Sequence, residues 1–263
     1  MNEQGLLDAV LDLARRAGEA ILEVYGTDFS VDAKADRSPL TEADLRAHRL
    51  IVDGLAALTP DLPVLSEESA SVPYRTRAGW DRYWLVDPLD GTREFVSRNG
   101  EFTVNIALIE GHWPELGVVY APVKEIGYLG GARYGAWRVE QGKAREPIAV
   151  QRSLRRPVRV VGSRSHAGES LQRFLTNLGE CELVSMGSSL KLCLVADGTA
   201  DVYPRLGPTS EWDTGAAQAV VEGAGGRVTD TDLQRLRYNA KPELLNPHFL
   251  VFGDGGVDWK RYL

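Results

Sequence analysis

Trp84-Leu85-Val86-Asp87-Pro88-Leu89-Asp90-Gly91-Thr92 predicts an apolar strand that leads two aspartates, three residues apart, into a turn. Pro88 restricts its own φ angle, and Gly91 lets the backbone come close to a ligand. Carboxylates that converge at a strand end repel one another unless a cation binds between them. Because hard oxygen ligands favour magnesium, manganese or calcium over zinc, both aspartates are candidate metal ligands. An ordinary surface turn without a metal would also explain this segment, since Asp and Gly are common in turns.

Three further acidic positions favour the metal interpretation. Glu67 follows the apolar stretch at residues 64–65, and Asp213 lies just ahead of a predicted helix. Asp44 lies near the start of another predicted helix. Each of them taken alone is more often a solvated charge or a helix cap. The case for a metal site therefore depends on their combination with the two aspartates of the strand.

The apolar spacing elsewhere divides the chain into two patterns. Before residue 154, helices are predicted at 6–25 and 41–58, and strands at 83–86, 102–109, 116–120, 126–129 and 134–139. Short strands with glycine-containing turns indicate an antiparallel sheet. After residue 155, strands at 158–161, 182–185 and 200–203 alternate with helices at 171–178, 190–196 and 212–223. The sequence therefore predicts an α+β half over residues 1–154 and a layered α/β half over residues 155–263.

The amino-acid composition limits the kinds of molecule that this chain is expected to bind. The chain has 263 residues, 43% of them apolar and 25% charged, with a net charge of −7. This balance disfavours polymeric nucleic acid as a partner but permits a small anionic substrate. No apolar run is long enough for a membrane span and no signal peptide is evident, so the cytoplasm is the expected location. Cys181 and Cys193 form no CxxC pair and are expected to be reduced and packed.

The order and spacing of the motifs resemble those of the lithium-sensitive, metal-dependent phosphatases that include the inositol monophosphatases. The matching motifs are Glu67-Glu68, Asp87-Pro88-Leu89-Asp90-Gly91-Thr92, Trp212-Asp213 with Ala216-Ala217, and the run from Glu222 to Gly226. Within that family, the resemblance is strongest to the CysQ-type 3′(2′),5′-bisphosphate nucleotidases. It extends from Ala14 to about Pro247. It implies a layered α/β/α/β/α sandwich with the metal site in the cleft between the halves.

The resemblance also implies roles for the acidic residues. Glu67, Asp87 and the carbonyl of Leu89 match one magnesium site. A second site matches Asp87, Asp90 and Asp213, and a third, weaker ion also uses Glu67, which is therefore counted among the catalytic residues. Thr92 and Asp44 match the pair that orients and deprotonates the attacking water.

The implied chemistry is coherent on physical grounds. A phosphate monoester is dianionic, and an acidic site repels it unless bound divalent ions invert the local field. Such ions lower the pKa of water and stabilise the leaving oxygen. The backbone N–H groups of Gly91 and Thr92 can hold phosphate oxygens if a helix or turn begins there. Asp213 is a further candidate substrate-binding residue.

Candidate nucleotide-binding residues follow predicted strands of the second half, where ligands usually bind in α/β layers. They are Ser163 and His166, then Gly187, Ser188 and Lys191, and then Arg205 after Tyr203-Pro204. Helix capping or plain surface charge explains each of them equally well without the family. The resemblance assigns them to the adenosine and to the phosphate that is not cleaved, because simple inositol monophosphatases lack this set.

The predicted reaction is magnesium-dependent conversion of adenosine 3′,5′-bisphosphate to AMP and phosphate, with the related phosphosulfate as a second substrate. The resemblance links it to sulfate assimilation. An inositol or sugar-phosphate phosphatase is the alternative enzyme, and a binding protein that has lost turnover is the alternative outside catalysis. Oligomeric state is left open, and so is the peripheral attachment to the inner membrane described for some relatives.

Overall fold

The computed structural model describes residues 3–33, 39–69, 71–162, 168–253 and 255–263. Its α-helices are α1 (Glu3–Tyr25), α2 (Glu42–Leu58), α3 (Tyr74–Arg77), α4 (Thr92–Val96), α5 (Glu169–Leu178), α6 (Leu190–Ala196) and α7 (Gly215–Gly223). The strands are β1 (Asp32–Ala33), β2 (Pro39–Leu40), β3 (Val64–Ser66), β4 (Arg82–Asp90), β5 (Thr103–Glu110), β6 (Trp113–Ala121), β7 (Ile126–Gly131), β8 (Gly135–Glu140), β9 (Glu146–Pro147), β10 (Val158–Gly162), β11 (Cys181–Ser185), β12 (Val202–Arg205), β13 (Gly226–Asp230) and β14 (Phe249–Gly253). Short 3₁₀ turns lie at Glu67–Ser69, Glu211–Asp213 and Trp259–Tyr262.

The larger sheet has seven strands in the order β3-β4-β5-β6-β7-β8-β9. Its neighbours pair antiparallel except for β3, which runs parallel to β4. Successive side chains of a strand point to opposite faces. On β4, Trp84 and Val86 pack with α1 and α2, whereas Tyr83 and Leu85 pack with α6 and α7. Burial on both faces explains why the residues of β4 form a continuous apolar run in the sequence.

The smaller sheet has five strands in the order β11-β10-β12-β14-β13. Strand β10 runs parallel to β11 and β12, and β14 runs antiparallel to β12 and β13. One face packs on α6 and α7, and the other packs on α5 and the turn at Trp259–Tyr262. The layers are therefore α1/α2, the larger sheet, α6/α7, the smaller sheet and α5. The predicted α/β/α/β/α sandwich is confirmed.

Local differences from the sequence predictions have physical causes. The predicted turn after residue 86 is wrong, because β4 continues to Asp90 with a shift of register between Asp87 and Asp90. Pro88 has no N–H to donate, and such positions in a strand favour irregular pairing. The last predicted helix begins at Gly215 instead of residue 212, since Glu211–Asp213 form a separate 3₁₀ turn.

The predicted boundary at residue 154 falls between the last strand of the larger sheet, β9, and the first strand of the smaller one, β10. The division into two halves stays a prediction. Both cysteines are free thiols, with Cys193 buried and Cys181 half-buried. Among the described residues, no helix combines the length and the apolarity that a membrane crossing requires.

Candidate active site

The irregular end of β4 brings its two aspartates to one side of the larger sheet. Asp87 is only 1% exposed, and its Oδ1 accepts a hydrogen bond from the backbone N–H of Leu89 at 3.0 Å. Gly91 follows with a φ of +88°, a left-handed conformation that glycine adopts without strain. The chain then turns directly into α4 at Thr92. The strand therefore ends with two carboxylates and a new helix at the same place.

Asp213 reaches the same place from the second half of the chain. It closes the turn Glu211–Asp213, and its Oδ2 accepts from the N–H of Ser210 at 3.0 Å in a capping box. Asp87, Asp90 and Asp213 each offer a carboxylate oxygen within 4.8 Å of the others. The structure thus brings together three of the predicted metal ligands across the boundary between the two sheets.

The electrostatics of this cluster are those of uncompensated acids. Burial raises the pKa of Asp87 well above its usual range, and the negative charges of Glu67, Asp90 and Asp213 raise it further. Burial, followed by Asp90 and Glu67, raises the pKa of Asp213 in the same way. Asp90 also has a raised pKa through burial, which Lys191 partly opposes. A divalent cation would favour the ionised form of all three acids against burial and would offset the repulsion at Asp87 and Asp213.

The donor set fits a hard divalent cation. Carboxylate oxygens converge here, and the predicted carbonyl ligand of Leu89 lies in the same strand end. Glu67 and Leu89 line the same cavity as the three aspartates. Oxygen-only ligands of this kind suit Mg²⁺, Mn²⁺ or Ca²⁺ better than zinc.

Asp44 and Thr92 meet beside the cluster although they are far apart in sequence. The Oγ1 of Thr92 lies 3.5 Å from Oδ1 of Asp44 and 3.4 Å from the carbonyl oxygen of Leu89. The Oδ2 of Asp44 accepts from the N–H of Thr41 at 2.8 Å and from its hydroxyl at 2.6 Å. Asp44 therefore caps α2 and also contacts Thr92 through its other oxygen.

A cavity of about 700 Å³ opens above the acids. Its wall includes Gly91, Thr92, Trp212 and the pair Tyr203 and Arg205. Arg205 is half-buried, and its guanidinium donates to Thr209 Oγ1 and to the carbonyl of Pro208, each at 2.6 Å. The aspartates and the guanidinium of Arg205, which its hydrogen bonds hold in position, therefore line the same cavity.

The other predicted nucleotide residues are placed differently. Lys191 lines a smaller adjoining cavity of about 160 Å³ with Ser188, and Arg205 lines both cavities. The ammonium of Lys191 donates to the carbonyl of Ser188 at 2.6 Å and lies 5.8 Å from the ring centre of Tyr203. Gly187 lines neither cavity, and its N–H donates to Glu101 Oε2 at 2.8 Å. Ser163 and His166 lie outside the described residues, between Gly162 and Gly168, which both line the larger cavity.

Sequence reasoning missed several residues around the site. Thr103, Asn105 and Ser189 surround Asp90, and all three are almost fully buried. Arg93 and Glu94, on the first turn of α4, line both cavities. A buried polar residue inside an apolar strand, such as Asn105 between Val104 and Ile106, is the one sequence signal that could have identified part of this set.

A five-layered fold in which three aspartates meet at one cavity is typical of the metal-dependent phosphatases. The chain belongs to the inositol monophosphatase family, whose family model matches residues 2–251. It is 54% identical over 248 residues to the 3′(2′),5′-bisphosphate nucleotidase CysQ of Escherichia coli K12, covering 94% of this chain and 99% of that one. It is 36% identical to the Haemophilus influenzae nucleotidase of the same name, covering 99% and 97%.

Solved structures agree with this membership. The crystal structure of CysQ from Bacteroides thetaiotaomicron superposes with a TM-score of 0.82 at 42% identity, covering 96% of this chain and 98% of that one. The Thermotoga maritima inositol monophosphatase superposes with a TM-score of 0.78 at 26% identity, covering 98% and 95%. The resemblance inferred from the motifs is therefore confirmed.

Proposed function

We propose that this chain hydrolyses the 3′-phosphate of adenosine 3′,5′-bisphosphate to give AMP and phosphate, with magnesium as its metal. The observation that carries the proposal is the single cavity that holds the acidic cluster and Arg205 together. A bisphosphate needs both features, because its two phosphates require separate partners. The relatives named as 3′(2′),5′-bisphosphate nucleotidases support the same substrate class.

The residues proposed to hold the metal are Glu67, Asp87, Asp90, Asp213 and the carbonyl of Leu89. We propose two magnesium ions and a third, weaker one. When bound, divalent ions activate water at neutral pH and stabilise the leaving oxygen of a phosphate ester. The protein supplies the carboxylates and keeps one oxygen of Asp87 and of Asp213 bound to a backbone N–H. These bonds restrict the rotation of the two carboxylates, so their remaining oxygens are held ready for the ions.

Thr92 and Asp44 are proposed to handle the proton of the attacking water. The Thr92 hydroxyl faces Asp44 Oδ1 at 3.5 Å, which is longer than a strong hydrogen bond. Such contacts often shorten once substrate is bound. Thr41 holds the other oxygen of Asp44 through two hydrogen bonds, so the acceptor oxygen keeps its direction toward Thr92. The pair can therefore pass on the proton of the water: Thr92 Oγ1 accepts it as the hydroxyl proton of Thr92 moves to Asp44 Oδ1.

Arg205 is proposed to bind the phosphate that is not cleaved. A guanidinium presents a planar set of donors that suits phosphate oxygens, and its contacts to Thr209 and Pro208 hold it in place before the substrate arrives. Lys191 is proposed as a second cation for the same phosphate, acting from the adjoining cavity. The N–H groups of Gly91 and Thr92 are proposed for the scissile phosphate, at the point where α4 begins.

The proposed role in the cell is removal of the bisphosphate by-product of sulfate assimilation, with the related phosphosulfate as a second substrate. A phosphate-release assay with Mg²⁺ tests the substrate directly. The panel should contain adenosine 3′,5′-bisphosphate, its 5′-phosphosulfate, adenosine 3′-monophosphate and inositol 1-phosphate. We expect the two bisphosphate-type nucleotides to give the highest kcat/KM. A higher kcat/KM on inositol 1-phosphate would make the inositol phosphatase the better description.

A further inference from the structure

The carboxylate of Asp90 is held by donors from both halves of the chain. Among the residues that the structure describes, its hydrogen bonds all fall on Oδ2, from the N–H of Ser189, the hydroxyl of Thr103 and the amide of Asn105. The contacts from Thr103 and Asn105 measure 3.4 Å each. One oxygen of Asp90 is thus committed to the protein, and Oδ1 is left for a cation.

The three donors are also bonded to one another. The hydroxyl of Ser189 donates to Asn105 Oδ1 at 2.8 Å, so the Thr103 hydroxyl, 2.8 Å from Ser189 Oγ, shares its one proton between Ser189 Oγ and Asp90 Oδ2. The exposed fraction is 0% for Thr103, 1% for Asn105 and 2% for Ser189. Buried polar groups linked in this way restrict one another's rotation, and removing one member leaves its partners unsatisfied.

The peptide between Ser188 and Ser189 connects this group to Lys191. Its C=O accepts from the ammonium of Lys191 at 2.6 Å, and its N–H donates to Asp90 Oδ2. In a trans peptide these two groups point in opposite directions, so one peptide unit is held between a cation and an anion. Ser188 has a φ of +46°, a left-handed value that is uncommon for serine. The strained backbone at Ser188 is thus part of the arrangement that sets the direction of this peptide.

The segment is also packed tightly against the first half of the chain. A Cβ added at Gly187 would lie 2.8 Å from the backbone oxygen of Glu101, closer than real contacts allow. The N–H of Gly187 is bonded to the side chain of the same Glu101. The segment 187–191 is therefore held in a fixed position beside the strand that carries Asp90.

We infer that Ser189, together with Thr103 and Asn105, is a positioning group that orients Asp90 for metal binding. Metal binding therefore depends on the packing of the segment 187–191 against the first half of the chain. The inference rests on the proposed metal site and not on the identity of the substrate. It assigns no chemical step to Ser189, which acts only through Asp90. Partners that orient a metal ligand commonly change metal affinity by about 10- to 100-fold when they are removed.

Calorimetric titration of the metal-free full-length protein with Mg²⁺ alone tests this inference. Ser189→Ala keeps the N–H bond to Asp90 but removes the hydroxyl that orders Thr103 and Asn105, and it is expected to raise the Kd for Mg²⁺ by about 10-fold. Thr103→Val is expected to act in the same direction. Thr229→Val is the matched control, because Thr229 is 4% exposed and its hydroxyl has no hydrogen-bond partner among the described residues. This control should bind Mg²⁺ like the unaltered chain.

Two further measurements separate positioning from general loss of structure. If the group acts as a unit, the double variant Ser189→Ala/Asn105→Leu should lose much less affinity than the two single losses multiplied together. In the phosphate-release assay, the turnover of Ser189→Ala should recover as Mg²⁺ is raised, whereas Asp90→Asn should not recover. Should Ser189→Ala fail to fold, the comparison of Thr103→Val with Thr229→Val decides the question.

The outcomes are distinct. Mg²⁺ affinities of Ser189→Ala and Thr103→Val equal to that of the unaltered chain, beside a loss in Asp90→Asn, would overturn the positioning role alone. Unchanged affinity in Asp90→Asn would overturn the metal assignment, and this inference with it. A different substrate preference in the phosphate-release panel would overturn the nucleotidase proposal and leave the Mg²⁺ result standing.

Discussion

The two sheets carry their candidate site residues in different ways. The larger sheet holds Asp87 and Leu89 within strand β4, with Asp90 as its last residue and Thr92 two residues beyond it. The smaller sheet carries its candidates at or beyond the ends of strands, as with Arg205 at the end of β12 and Lys191 in α6 after β11. Residues inside a buried strand have little freedom to move, whereas loops and strand ends can vary while the sheet is kept.

This difference separates what the fold preserves from what sets the substrate. The Thermotoga maritima inositol monophosphatase shares the fold at only 26% identity, so most side chains change while the layers remain. We expect changes to the strand-borne acids to abolish turnover on every substrate, and changes beyond the strand ends to alter the choice among substrates. The predictions below test that contrast in order of decreasing effect.

The largest effect is expected for Asp87→Asn. The substitution removes a buried charge from the proposed position between two ions, so phosphate release should fall by several orders of magnitude on all substrates. The metal-free variant should remain folded with an equal or higher Tm, because a neutral amide replaces a carboxyl whose pKa is raised by burial and then by the charges of Glu67, Asp90 and Asp213. Phosphate release and thermal melts with and without Mg²⁺ check both parts. Near-normal turnover would falsify the metal assignment.

A smaller loss is expected at the proton-handling pair. Thr92→Ala and Asp44→Asn should each lower kcat by about 10²- to 10⁴-fold, with a lesser effect on KM. Because the two residues are proposed to act in one step, the double variant should lose far less than the product of the two single losses. Asp44 also caps α2, so melts of each variant must accompany the kinetics. Losses that simply multiply would rule out a shared step.

The sequence predicted features that lie within one segment better than features that depend on contacts between distant segments. Strands β4 to β8 of the larger sheet and the acids at the end of β4 were predicted, because apolar runs and closely spaced carboxylates are local signals, whereas the short strands β3 and β9 were not predicted. The pairing of β13 with β14 was not predicted, since the two strands lie 18 residues apart. The group formed by Thr103, Asn105 and Ser189 was missed for a related reason, because its members converge only when the halves are packed together. Pairings between distant segments leave no periodic pattern in either segment.

The contact between the halves gives a prediction on stability. Glu211 lies 1% exposed at this contact, where its Oε2 accepts from the N–H of Asn239 at 2.8 Å and Arg77 lies near. Burial raises its pKa from 4.5 to about 7. The folded state therefore disfavours the ionised form, so this residue's contribution is most favourable below pH 4.5 and is lost as the pH rises toward 7.

Glu211→Gln keeps an acceptor for Asn239 but cannot ionise. At pH 8 its free energy of unfolding should exceed that of the unaltered chain by up to about 3 kcal/mol, and the difference should vanish at about pH 4. Urea unfolding of the metal-free proteins across this range measures it. Glu182→Gln, at an exposed position of β11, is the control and should show no such trend. A constant difference at every pH would show that ionisation of Glu211 is not the cause.

The smallest effect is expected at Arg205, the proposed phosphate-binding cation of the second half. If Arg205 binds the phosphate that is not cleaved, Arg205→Ala removes a charge-assisted contact from a bisphosphate, at a cost of roughly 1.5–3 kcal/mol. That cost corresponds to about one to two decades in kcat/KM. Adenosine 3′-monophosphate has no such phosphate, so its kcat/KM should barely move, and the preference for the bisphosphate should collapse. Lys191→Ala should follow the same pattern if it binds the same phosphate.

Whether the losses in kcat/KM differ between the bisphosphate and the monophosphate is more informative than the size of either loss, because the cost of a lost contact varies with its surroundings. Arg237→Ala serves as a control, since this exposed arginine lines neither cavity and should leave both substrates unaffected. Equal losses on the bisphosphate and the monophosphate would make Arg205 a structural residue that holds the segment around Thr209. In that case the larger cavity would retain its acids without a cation for a second phosphate, and the inositol phosphatase would become the better account of the site.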